Sequence, residues 1–224
     1  TLRHNKAHQK RQAPAIKNSI PRGLGPVVPD AEVVRLPFSY LAGLNSDGTT
    51  PWVYGTENEI RINNAYEPVS GTHQPYGWDQ MAALYRYYKV VGCRMKITAV
   101  NFVADTCGII SVRPVPVNEN LTLTGQNVSG AMERPGVINR FLVAGSGKPT
   151  EIHLDIDIPR LLGVSREQFD ADASLYSATV TGAPSRFAYV QMSFAGYSTT
   201  SSCVAVVECE YDVHFWQRIT QAQS

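Results

Sequence analysis

The sequence predicts an all-β protein: a single eight-stranded antiparallel jelly roll, that is, a two-sheet β-sandwich with short helices in its loops. Three observations lead there. A period-2 alternation of apolar and polar residues dominates the chain past residue 31, and eight strand-like runs are counted between residues 33 and 215. Helical spacing surfaces in only two short stretches. The runs are joined by long, irregular connections, which suit cross-sheet returns better than the short, regular turns of an immunoglobulin-type sandwich.

The elements follow in order. Residues 21–31, punctuated by Pro21, Pro26, Pro29 and two glycines, read as an extended linker. This divides the chain into an arm and linker over 1–31 and a jelly-roll domain over 32–224. Val33, Arg35 and Pro37 alternate with Val34, Leu36 and Phe38 in a first strand that ends near Ala42, and a short strand covers Glu59–Asn63. Trp78, Met81, Leu84 or Tyr85, and Tyr88 recur at helical spacing. The longest strand signal, 90–104, sets Cys93, Met95, Ile97 and Ala99 against Arg94, Lys96 and Thr98, with Ile97 facing between the sheets. A strand over 107–113 is stopped by Pro114 and Pro116. Val137–Ala144 and Thr150–Ile158 pair across the Gly145–Pro149 turn. In the second, Ile152, Leu154, Ile156 and Ile158 face inward while Glu151, His153, Asp155 and Asp157 face out. Ser165 and Gln168 form a capping box before a helix near 166–175, and the last strands run over 186–195 and 203–215. Long loops remain at 43–58, 64–77, 114–136 and 159–185, long enough that binding is expected of them.

Charge is divided along the chain. Residues 1–23 carry Arg3, Lys6, Lys10, Arg11, Lys17 and Arg22 and no acid, so residues 24–224 hold 14 Lys and Arg against 19 Asp and Glu. The net charge of +1 conceals this. A flexible basic arm neutralises phosphates and releases condensed counterions, which gives salt-dependent, sequence-independent binding of a polyanion. The first residue is Thr1 rather than Met, which leaves room for a longer basic arm upstream. Charged residues make up only 17% of the chain, below the usual quarter, so self-association is expected of the body. No stretch approaches the roughly 20 apolar residues of a membrane span. Cys93, Cys107, Cys203 and Cys209 lie in strand-like runs without metal-ligand spacing and read as reduced, buried thiols. The sequons at Asn120 and Asn127 then carry no weight.

Two segments carry a family resemblance. One is Tyr76-Gly77-Trp78-Asp79-Gln80, then Leu84-Tyr85 and Tyr88-Lys89-Val90-Val91-Gly92-Cys93-Arg94-Met95-Lys96-Ile97. The other is Pro159-Arg160-Leu161-Leu162-Gly163-Val164 with Phe169, Asp172 and Tyr176. Together they resemble capsid proteins of circovirus-like small circular single-stranded DNA viruses. In that group a Gly/Tyr-Asp-Gln helix ends in tyrosines and runs into a Val-x-Gly-Ser/Cys-Lys/Arg-x-Lys-Ile/Val strand. The resemblance implies a coat protein that self-assembles into a small (T=1, 60-subunit) icosahedral shell around single-stranded nucleic acid. Its setting would be the virion, and the host nucleus or cytoplasm during assembly. Arms of that group are longer and denser in arginine, whereas this one mixes Lys, Arg, His and Gln; DNA is favoured, with RNA left open.

On this reading the nucleic-acid-binding residues are Arg3, Lys6, Lys10, Arg11, Lys17 and Arg22 of the arm, joined by Arg94 and Lys96 on the polar face of the long strand. For the latter two, solvated or subunit salt bridges are the competing reading. Tyr85, Tyr87 and Tyr88 with Trp78 and Arg86 suit base stacking, though packing on the sheet is the commoner use of such a cluster. His153, Asp155 and Asp157 recur about 7 Å apart on one strand face, too wide for a compact metal site without a neighbour. No cofactor or metal is expected. An enzyme is not expected either: nucleophile-elbow, Walker-type and zinc-protease motifs are missing, and the five histidines are scattered. The alternative is a cellular jelly-roll binding module, lectin-like or trimeric, with a basic polyanion-binding tail.

Overall fold

The computed structural model describes residues 29–55, 57–101, 107–116, 123–145 and 148–219. Two antiparallel sheets face each other. The first orders β1 (Ala31–Asn45), β9 (Ser202–Arg218), β3 (Tyr85–Val100) and β6 (Thr150–Asp157), with the two-residue β7 (Ala178–Thr179) also on β3. The second orders β2 (Glu57–Arg61), β8 (Ala188–Gly196), β4 (Gly108–Pro116) and β5 (Ile138–Leu142). Most sequence neighbours sit in opposite sheets, which is the jelly-roll arrangement expected from the long connections. Among the described residues, five short helices occupy the loops: α1 (Trp78–Ala82), α2 (Val128–Met132), α3 (Ile158–Leu161), α4 (Arg166–Ala171) and α5 (Ala173–Tyr176).

Alternation places the core as expected. Leu36 and Phe38 on β1, Cys93, Met95, Ile97 and Ala99 on β3, and Ile152, Leu154 and Ile156 on β6 all turn inward, meeting Val190, Met192 and Phe194 of the opposite sheet. β9, at 17 residues the longest strand, pairs on both sides and buries every second residue from Cys203 to Phe215. Ser165 caps α4 with both bonds of the capping box present.

Two expectations give way. The helical run stops early: α1 ends at Ala82 and β3 begins at Tyr85, because tyrosine-rich chain prefers a pleated, half-buried surface. Trp78 from the helix and Tyr88 from the strand then meet edge-on in the core, ring centroids 4.7 Å apart. Pro114 and Pro116 do not stop β4. The β4–β5 ladder ends at Val112, so beyond it β4 has a free edge where a missing N–H costs no ladder bond.

Parts of two long loops, of which only binding was expected, also roof this chain's own second sheet. Trp52, Tyr54, Leu123, Val128 and Ala131 pack on Ile109 and Ala195, which are register partners on the outward side of β4 and β8. Backbone bonds hold the roof: Tyr54 N–H donates to the Gln126 carbonyl (3.0 Å), Gly125 N–H to that of Tyr54 (2.8 Å) and Val128 N–H to that of Trp52 (3.0 Å). Among the described residues, the first sheet has no such cover along most of its length.

Candidate nucleic-acid interface

Arg3, Lys6, Lys10, Arg11, Lys17 and Arg22 lie outside the described residues. Their point of attachment does not. The Tyr85 hydroxyl donates to the Pro29 carbonyl at 3.0 Å, and Ala31 begins β1 opposite Trp216. The arm therefore joins the sandwich where β1 starts and β9 ends, at one end of the first sheet.

The outer face of that sheet is a mesh of ion pairs. Arg94 faces Asp212 (3.0 Å) and Glu210 (3.4 Å), both shared with Arg35 (3.2 and 3.9 Å). Lys96 pairs with Glu151 at 2.8 Å, and His153 stands 3.5 Å from the same carboxylate. The hydrogen bond and charge of Lys96 hold the Glu151 carboxyl below the usual range, and Glu151 in turn raises Lys96. These groups are a third to two-thirds exposed, so solvent screens each pair and leaves it weak. Arg94 and Lys96 thus sit on the face expected of them, with carboxylate neighbours rather than as a bare basic patch. Among the described residues, no three His, Cys, Asp or Glu side chains gather into a metal-binding group, and His153, Asp155 and Asp157 stand exposed along β6.

The tyrosine cluster divides. Tyr85, Tyr88 and Trp78 are core residues; burial pushes the Tyr88 phenol up. Tyr87 turns outward instead and stacks on Trp216 of β9, a neighbour that the local sequence pattern does not supply. Lys89, with Arg86 just before it, is largely buried; its ammonium pairs with Asp170 of α4 and pulls that carboxyl down. Cys93, Cys203 and Cys209 are buried free thiols and Cys107 is partly exposed. A hydrogen bond between Cys93 and Cys209, with burial, raises the Cys93 thiol, and burial alone pushes Cys203 up to about 12.

No protein-family model and no curated protein matches this chain. Solved structures do. The 60-mer BFDV capsid protein is similar over 87% of this chain and 97% of its own, at 11% identity and TM-score 0.50. Turnip yellow mosaic virus (10% identity, 87% of this chain and 99% of that one, TM-score 0.47) and mud crab tombus-like virus (12%, 98% and 96%, 0.46) are also similar. At such identities the likeness is one of fold: the jelly roll of the BFDV capsid protein.

Proposed function

We propose that the chain is a viral coat protein that self-assembles into a small icosahedral shell, of T=1 size with 60 subunits, and packages single-stranded nucleic acid, DNA in preference to RNA. The observation that carries the reading is the strand order of the two sheets together with their likeness to a jelly-roll capsid protein solved as a 60-mer. The chemistry is structural. The sandwich is the rigid wedge, copies of the chain are its partners, and the arm residues Arg3, Lys6, Lys10, Arg11, Lys17 and Arg22 gather the genome by counterion release. Arg94 and Lys96 are secondary contacts, where phosphate competes with Asp212, Glu210 and Glu151.

Electron microscopy of the purified protein, with absorbance at 260 and 280 nm, tests this. Uniform shells roughly 20 nm across with an elevated 260/280 ratio are expected. Deleting residues 1–23 leaves shells that have lost their nucleic acid; shells that keep it remove the arm from the mechanism. Trimers that never grow, at any salt concentration, replace the coat protein with a binding module.

A further inference from the structure

We propose that Tyr87, Trp216 and His214, with Lys89 at their edge, form a stacking platform for an unpaired nucleobase at the end of the sheet where the basic arm begins. The inference rests on the nucleic-acid partner proposed above and gives that partner a second foothold of a different kind. On the outer face of the first sheet Tyr87 is in register with Trp216, and Lys89 with His214. The Tyr87 and Trp216 rings lie 5.9 Å apart at 19°, and the His214 and Trp216 rings 5.5 Å apart at 41°. All three rings are half-buried, so each is held in place yet keeps surface toward solvent.

Beside them Lys89 Nζ lies 6.0 Å from the Trp216 ring and 5.2 Å from that of Phe169. Lys89, Asp170, Ala173, His214 and Trp216 line a pocket of about 360 Å³, toward the small end of ligand sites. The backbone is bent to serve this arrangement. Gln217, with φ of 56°, takes a left-handed conformation that non-glycine residues rarely hold, and it drops out of the β3–β9 ladder together with Arg86, between the pairs Tyr85–Arg218 and Tyr87–Trp216. Across that break Tyr85 is buried in the core while Tyr87 stays half-exposed. The surrounding face is charged, so three clustered rings there need an apolar, planar partner. An unpaired base, flat and with an apolar face, meets that description.

Stacking and counterion release separate by salt. The arm's contribution falls steeply with ionic strength, whereas a stacked base is held at about 1 M salt. Titrating the full-length protein with a fluorescent oligo(dT) at about 0.1 M and about 1 M salt measures both. Trp216→Ala should weaken binding by roughly five- to a hundredfold at both salts, with the salt slope unchanged, and Trp216→Phe should keep most of the affinity. Equal binding by Trp216→Ala and wild type overturns the platform while leaving the arm's role intact. Absence of binding by the wild type even at low salt removes the nucleic-acid reading itself. Ultraviolet cross-linking of a 5-bromouracil oligonucleotide to the unmodified protein needs no variant to fold: adducts within 87–89 or 214–216 support the platform, and adducts confined to residues 1–28 overturn it.

Discussion

Ile97 shows how much one residue decides. It lies between its register partners Ile152 and Val207 and is fully buried. A carboxylate there has neither water nor partner, and the cost far exceeds ordinary domain stability margins. Ile97→Asp should therefore give insoluble or unfolded protein by circular dichroism, whereas Ile97→Val, losing one methylene, costs about 0.5–1.5 kcal/mol; a soluble, assembled Ile97→Asp protein would show that the strand faces the other way. His214 carries a prediction of another kind. Burial and the neighbouring Lys89 ammonium hold its imidazole below the ordinary value, with Asp170 pulling weakly the other way. The unfolded chain then takes up this proton at a higher pH than the folded one, so stability is unaffected above about pH 6.5 and lost as pH falls below it. Carboxylates held low by their partners, such as Glu67, Glu151 and Asp170, lose their contribution in a lower window, below about pH 4.5. The melting temperature of wild type should accordingly fall more steeply between pH 7 and 5 than that of His214→Asn, and parallel slopes would remove His214 from the account. Ile97 was legible because strict alternation surrounds it. Tyr87 was not, because its stacking partner Trp216 lies on another strand, 129 residues away in the chain.

At the scale of elements, legibility followed how local the determining interaction is. The capping box of α4 joins residues three apart, and both of its hydrogen bonds are present, Gln168 N–H to Ser165 Oγ at 3.2 Å and Ser165 N–H to Gln168 Oε1 at 3.2 Å. The polar face of β6 was equally plain, since every second residue is charged or histidine. By contrast, the passage from α1 into β3 and the length of β4 depend on which strand lies alongside, and a single run of residues does not encode its neighbour. The capping box also makes a prediction. α4 holds Phe169 in the core and brings Asp170 to Lys89, so its first turn ties the 159–185 connection to the outer face of the sheet. Ser165→Ala should cost about 1 kcal/mol. Hydrogen exchange would be faster in α4 and α5 than in the wild type, with β3 and β9 unchanged; uniform acceleration across the sheet would mean that this connection and the sandwich open together.

The molecule as a whole is asymmetric in a way that eight strand-like runs could not reveal. One sheet shows water a charged face; the other is also buried on its outer side around Ile109 and Ala195, where chain from 52–54 and 123–132 covers it. The sign was present in β4, where Gly108 to Arg113 are all buried, but a short apolar run reads as a strand whatever covers it. Two separate clusters result, the large one between the sheets and the small one under the roof. Their separation predicts that the roof opens independently. Val128 lies on α2 at 6% exposure, in the small cluster only, so Val128→Asp places an unpartnered carboxylate under the roof without touching the main core. The expected product keeps its β-sheet circular dichroism and its main melting transition, while limited digestion with a glutamate-specific protease cuts it rapidly after Glu133, just past α2. Such a subunit should also assemble poorly, because the exposed Ile109 and Ala195 would offer a sticky surface to the wrong neighbours. If Val128→Asp instead unfolds in one step with the sandwich, the roof and the two sheets form a single cooperative unit, and the long loops stabilise the wedge itself rather than only dressing its outer side.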